Sequence, residues 1–392
     1  MGVGLRRPGF KNKKKAIYYP YIFTHMRLFL SLVTLFSFCF WARPEGRANP
    51  LVPLRDRDVA ARFAPVFYQA LGDKPRGDYP TNFDFDGDWR GDDNWKNTDD
   101  KRFVLRGYIY YSVCETQTHY FIHYAVFHPR DYKGGQTKGL ILSGLIKEGV
   151  DIASNGESPT GLLAEATAAH ENDMEGSLVV VAKSGSDLSK ARVTFVETLH
   201  HNTFTPYTPS AESAVKAGDV FRADGQHVML YVEAKGHGIE AYTGDEKQKS
   251  TKQTLIYRFA GRAGDPEKRS GDAVDYDLLP LSSTLWARAQ PGTKSITYGA
   301  FHDYGVIGIN YAPAGGTMMV RKVMIGKRAS AFLGTTGGVN MARPPWGWFS
   351  NGERGDPLGL WFFDPARIVK RDFGQGESFS TTYVRLPFWA AK

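Results

Sequence analysis

The densest chemistry in the chain is the run His170-Glu171-Asn172-Asp173-Met174-Glu175, followed by Gly176 and the apolar stretch Ser177–Ala182. It reads H-x-x-D-x-E on a segment that enters a strand. Extended backbone alternates its side chains, so Asp173 and Glu175 share one side if the strand starts there. His170 can curl over from the preceding loop. Two carboxylates and one imidazole converging on a point make a mixed oxygen and nitrogen site for a divalent cation. Without a cation, two close carboxylates repel and one is driven toward protonation. Read locally, the same six residues also fit a solvated polar turn between a helix and a strand. The run is not a zincin helix, because the second histidine of that pattern would fall on Met174. The chain has no Walker loop and no G-x-S-x-G elbow. Gly236–Ala241 fits G-x-G-x-x-A on paper, but no helix pattern follows it.

Other residues can join or compete with that site. The apolar run His119–Phe127 leads directly into His128-Pro129-Arg130-Asp131, so Asp131 can supply a fourth ligand from a neighbouring strand end. Asp84, Asp86 and Asp88 alternate along an acidic stretch and form a candidate second cation site of hard oxygens. It is not an EF-hand, since its sixth and twelfth positions are Trp89 and Trp95, and an acidic turn over packed tryptophans explains it equally. His237 lies between two glycines after a strand and reads as a loop histidine bonded to a nearby carbonyl, with the cation site as the other place it can reach. His200-His201 and His302-Asp303 call for no functional reading. The aromatic tail, Arg343–Phe349 and Trp361–Asp364, reads as buried packing, with sugar or membrane contact as the alternative.

The elements that must position these residues are mostly strands. Phe103–Cys114 and His119–Phe127 flank the polar break Glu115–Thr118 and read as an antiparallel hairpin. Ser177–Ala182, Arg192–Glu197, His227–Glu233 and Gln253–Phe259 add further strands, and only Gly161–Ala169 is clearly helical in composition. The expected fold is all-β: an antiparallel β-sandwich with long decorated loops and one or two short helices. No linker, repeat or low-complexity tract divides 49–392, so it is expected to be a single large domain.

Residues 1–48 differ from the rest. They hold nine basic side chains and one acid, and removing these from the totals of 49 and 41 leaves 40 of each sign in 49–392. The net charge of +8 therefore belongs to this segment, and a near-neutral body gives no support to nucleic-acid binding. Leu28–Trp41 is a 14-residue uncharged run after a basic stretch and before Gly46-Arg47-Ala48. Those are the parts of a secretory signal, and the run falls short of the roughly 20 residues a membrane span needs. The expected product is secreted or periplasmic, without a transmembrane span. Cys39 lies in this segment, so residues 49–392 keep Cys114 alone and cannot form an internal disulfide.

The stretches His123–Asp131 (HYAVFHPRD) and His170–Glu175 (HENDME) resemble the necrosis- and ethylene-inducing-peptide-like proteins, whose core heptapeptide is Gly-His-Arg-His-Asp-Trp-Glu. They also resemble the His-x-x-Asp-Trp-Glu element of the vacuolar protein sorting-associated protein 62 family. Tyr231–Tyr242 and the Trp-rich Pro344–Asp364 look like later segments of the second family. The resemblance implies a β-sandwich and a divalent cation held by Asp131, His170, Asp173 and Glu175. Met174 stands where the families have Trp, Asn172 where the heptapeptide has its second His, and 39 positions separate Asp131 from His170.

With only one nitrogen among four ligands, Ca²⁺ or Mg²⁺ is expected ahead of Zn²⁺. Three functions fit: a cation-dependent binder of a lipid headgroup or glycan, a metal-dependent hydrolase, or a module whose cation ties loops together. The sequence offers no dedicated nucleophile and no acid, base and orienter in series, so no catalytic residue is named. Export should be accompanied by cleavage near Ala48. N-terminal sequencing of the exported chain checks this, and material that still begins with Leu28–Trp41 intact would contradict it.

Overall fold

The computed structural model describes residues 54–131, 170–209, 220–289, 306–311, 319–324, 344–348 and 359–388, apart from 90, 92, 186, 202, 246, 247 and 249–252. The leader, the helical composition of Gly161–Ala169 and His302-Asp303 lie outside them.

The β-rich expectation holds. Strands outweigh helices in the described chain: β1 (Val66–Ala70), β2 (Tyr108–Thr116), β3 (His119–Asp131), β4 (His170–Ala182), β5 (Arg192–His200), β6 (Thr203–Tyr207), β7 (Arg222–Asp224), β8 (His227–Val232), β9 (Ile239–Ala241), β10 (Thr254–Phe259), β11 (Ala273–Pro280), β12 (Val306–Tyr311), β13 (Met319–Met324) and β14 (Tyr383–Arg385). The described helices are short, the longest being Leu54–Arg62 and Pro365–Asp372. None is long and apolar enough to cross a membrane.

Hydrogen bonding joins the strands into one path in place of two separate antiparallel sheets. The order is β6-β5-β4-β3-β2-β11-β10-β1-β8-β7, with β14 on β2 and β9 on β8, while β12 and β13 form their own hairpin. Three neighbouring pairs, β1 with β8, β10 with β11 and β11 with β2, are parallel. Parallel neighbours need long crossovers, which the alternation of a single run cannot reveal. β11 is the joint. Ala273–Tyr276 pairs with β10, and Asp277–Pro280 pairs with β2. The path then curls, because β9 from one end lies against β4 and β5 at the other.

Both faces of the central strands are covered. On β3, His123 points to one face, where its Nε2 meets Trp361 O at 3.0 Å and its ring lies 5.3 Å from Phe362. The next residue, Tyr124, points to the other and donates its hydroxyl to Ala60 O at 2.6 Å in the helix Leu54–Arg62. That explains why β2 and β3 are buried almost continuously rather than in alternation. The tail aromatics are packing: Trp348, Trp361 and Phe362 are buried, and Trp361 Nε1 donates to Glu197 Oε2 at 2.6 Å. Cys114 is also buried, and burial raises its thiol pKa, so it is a small hydrophobe in the core.

Burial lowers the pKa of His123 to about 3 from the usual 6.5, against the opposing pull of Trp361 O. A histidine with a depressed folded pKa contributes stability that is complete above pH 6.5 and fades as pH falls toward 3, because only the unfolded chain takes up the proton in that window. His123→Gln should therefore flatten the acid limb of the stability profile. Urea titrations of both proteins between pH 7 and pH 3.5 read it, and parallel profiles would sink the assignment.

Candidate functional site

The site starts where β3 ends and β4 begins. These strands pair antiparallel with Asp131 across from His170, Arg130 from Glu171, His128 from Asp173 and Val126 from Glu175. The one gap in this ladder is at Pro129 and Asn172. Pro129 has no N–H to give, and Asn172 has φ 59°, in the left-handed region. Strict alternation would put Asp131 and His170 on one face and Asp173 and Glu175 on the other. The kink at Asn172 is the place in the strand where that alternation can be reset. Asn172 is locked there. Its Nδ2 donates to Gly91 O at 2.8 Å, and its Oδ1 accepts from Asn94 Nδ2 at 2.6 Å.

Glu171 serves the same anchoring. Its Oε1 accepts from Trp95 N at 2.9 Å, which turns its carboxylate toward the short helix Asn94–Asn97. Arg130, opposite it, is fully buried in its side chain, grips Asp99 with two nitrogens at 2.7 and 2.9 Å, and lies over the Trp95 ring. On the far side Trp348 packs on Gly176, where an added Cβ would come within 2.3 Å of the indole, and its Nε1 donates to Met174 O at 3.0 Å.

Asp173 is 7% exposed, and its Oδ2 receives His237 Nδ1 at 2.8 Å. The other nitrogen of His237 meets Asp78 Oδ1 at 3.2 Å. His237 is thus bonded to two carboxylates and not to a loop carbonyl. Burial by itself would lower its pKa, but the bonds to Asp173 and Asp78 outweigh that and hold it at about 9. The ring is therefore an imidazolium at neutral pH, donating from both nitrogens. His128 stacks on it at 3.7 Å with the planes 6° apart, and bonds through Nε2 to Gln69 Oε1 at 2.9 Å. Burial and the neighbouring His237 charge push the His128 pKa well down, so His128 is neutral.

Asp78 carries no warning in the sequence. It closes the short 3₁₀ turn Pro75–Asp78, and its oxygens accept from Gly72 N and Lys235 N, both at 2.7 Å. The four non-glycine residues with positive φ among the described residues are Asn172, His201, Lys235 and His237, and all four lie in this neighbourhood. Left-handed backbone at a non-glycine residue costs about 1–2 kcal/mol. Such strain persists only where the surroundings over-determine it, and it gathers at functional sites.

Glu175 is buried, and its Oε1 lies 3.9 Å from His201 Nδ1. Asp131 is also buried, across from the first residue of β4, about three residues or 10 Å of strand from Asp173. The His170 side chain lies outside the described residues. Among the described residues, the one group of three metal-ligating side chains with atoms mutually within 4.8 Å is His200, His201 and Glu233; Asp131, Asp173 and Glu175 do not form such a group by themselves. Nor do Asp84, Asp86 and Asp88. Asp84 accepts from Asn82 Nδ2 at 2.9 Å and Asp86 from Asn97 Nδ2 at 2.8 Å, the pattern of an acidic turn tied to its own neighbours. The donor set still suits a hard cation: buried carboxylates, one of them fixed from behind by an imidazole, as ligating carboxylates commonly are.

No family model and no curated protein matches this chain. Solved structures do. One titled as a toxin fold for microbial attack and plant defence matches at 14% identity and a TM-score of 0.25, over 47% of this chain and 67% of its own. NLPPya in complex with mannosamine matches at 16% and 0.27, over 52% and 71%. The non-toxic HaNLP3 protein matches at 11% and 0.26, over 61% and 83%. Likeness at this level transfers no function.

The locked kink leads to an ordered pair of outcomes. Asn172→Gly keeps the left-handed backbone and loses two hydrogen bonds, at about 1–3 kcal/mol. Asn172→Leu loses the bonds and adds about 1–2 kcal/mol of backbone strain. Denaturant unfolding should rank wild type above Gly above Leu; a leucine variant as stable as the glycine one would contradict the role given to the kink.

Proposed function

We propose that this chain is an exported divalent-cation-binding β protein that recognises a lipid headgroup or a glycan through the cation. Asp131, His170, Asp173 and Glu175 would hold the ion, Ca²⁺ or Mg²⁺ in preference to Zn²⁺, given three carboxylates to one imidazole. The observation that carries the reading is the concentration of left-handed non-glycine backbone around buried carboxylates that His237 and Asp78 hold in place. In that arrangement His237 orients Asp173, and Asp78 orients His237. The cation supplies a positive centre for sugar hydroxyls or a phosphate.

The near-complete burial of Asp131, Asp173 and Glu175 favours one second reading, a cation whose work is to tie the β3–β4 end to its loops. Metal analysis and calorimetry on the full chain, with Ca²⁺ and Mg²⁺, come first. Asp173→Asn should weaken binding by about tenfold or more, as loss of metal-site residues commonly does. Glu171→Gln should leave it unchanged, because that carboxylate faces Trp95 N. Equal losses would overturn the ligand assignment. Anionic vesicles and an immobilised glycan panel, each with and without chelator, then separate recognition from scaffolding. Chelation that lowers the melting temperature while retention persists selects the structural cation.

A further inference from the structure

We infer that His200, His201 and Glu233 form a second metal site, separate from the carboxylate site and suited to a borderline transition ion such as Zn²⁺. The residues come from two parts of the sheet path. β5 passes into β6 through a turn at His201, with His200 paired to Thr203. Tight hairpin turns favour left-handed backbone, and His201 has φ 55°. On a straight strand, consecutive histidines would point to opposite faces. The turn instead brings both to one carboxylate oxygen: His201 Nε2 lies 2.8 Å and His200 Nε2 3.4 Å from Glu233 Oε1. Glu233 follows β8 and is fixed by its N–H to Gly238 O at 3.0 Å. Gly238 makes room for the arrangement, since a Cβ there would lie 2.2 Å from His200 Cδ2.

Three features go beyond a chance ion pair. One ligand atom from each residue lies within 4.8 Å of the others. A tetrahedral ion with bonds near 2.0–2.1 Å sets its ligands roughly 3.3 Å apart, between the two N···O spacings seen here. Both rings present Nε2 to the shared centre and turn Nδ1 toward a further carboxylate, His200 to Glu240 Oε2 at 4.0 Å and His201 to Glu175 Oε1 at 3.9 Å. Those spacings are longer than a hydrogen bond, but the placement follows the order metal, histidine, carboxylate found in zinc sites. Two imidazoles and one carboxylate with a position left over is also a zinc ligand set, and one that a hard cation disfavours. With the His201 side chain 48% exposed, an ion can enter from solvent.

The test uses the full chain stripped with chelator, then titrated with Zn²⁺ by calorimetry and with Co²⁺ by visible absorption. One Zn²⁺ should bind that Ca²⁺ does not displace, and Co²⁺ should show the intense bands of a tetrahedral centre. His201→Asn, which tolerates the left-handed turn, and Glu233→Gln should each weaken Zn²⁺ by about tenfold or more. Asp173→Asn should leave the Zn²⁺ equivalent in place, so failure of the carboxylate site and failure of this one are told apart. Circular dichroism and melting curves establish that the variants fold; if Glu233→Gln does not, the exposed His201→Asn decides. No Zn²⁺ uptake, or uptake indifferent to His201→Asn, overturns the site.

Discussion

The arrangement around β4 depends on one buried imidazolium. Asp78 and Asp173 are both withdrawn from water, and buried polar groups need bonded partners. His237 serves both, with one nitrogen to each. The bond does mechanical work too. Asp78 sits in a turn after β1, Asp173 on β4 and His237 in the loop before β9, so one side chain pins three segments that the sheet does not hydrogen-bond to one another at that point. The stacked, neutral His128 caps the imidazolium and shields it from solvent.

The same logic of pinning runs outward. Asn172, Glu171 and Arg130 each reach from the strand pair to the segment 91–99. Trp348 presses on Gly176 from the tail. The entry of β4 is thereby held on several sides by polar bonds and one large ring, which is how a strained backbone survives there. Positive φ at four bulky residues is affordable only because each has its own restraint.

The parts of this fold legible in the sequence were local. The pairing of β2 with β3 follows from patterns within a dozen residues, whereas H-x-x-D-x-E, expected as a loop entering a strand, is itself the first part of β4, because β3 pairs with it from His170 on. Even there the polar break misled. Glu115 and Thr116 read as turn residues, yet they end β2, because Glu115 is met by Lys183 at 2.8 Å and Arg55 at 3.2 Å, and polar residues with partners can be buried in a sheet. The strand β3 likewise runs on through Pro129 to Asp131, since β4 pairs with it to the end. Asp78 was invisible, as nothing near it in the chain announces a histidine 159 positions away. His200-His201 looked like an idle pair because strand periodicity sets such neighbours apart; only the turn geometry at His201 reunites them. The parallel pairings were hidden for the same reason.

The joint at β11 has a consequence for the order in which the molecule assembles. Four of its residues belong to β10's side and four to β2's, so the strand is the seam along which two separately pairable groups must meet. Asp173, Glu175, His200 and His201 ride on the β2–β6 group, whereas Glu233 and His237 flank β8 and β9 in the other. Neither imidazole cluster can exist until the seam has closed. Closing contacts of such long sequence separation is slow, because the chain entropy is lost before the contacts are gained. An ion at the His200, His201 and Glu233 site therefore cannot template the early stages; it can only latch a sheet that has already rolled up, raising the barrier to unrolling without hastening the approach to it.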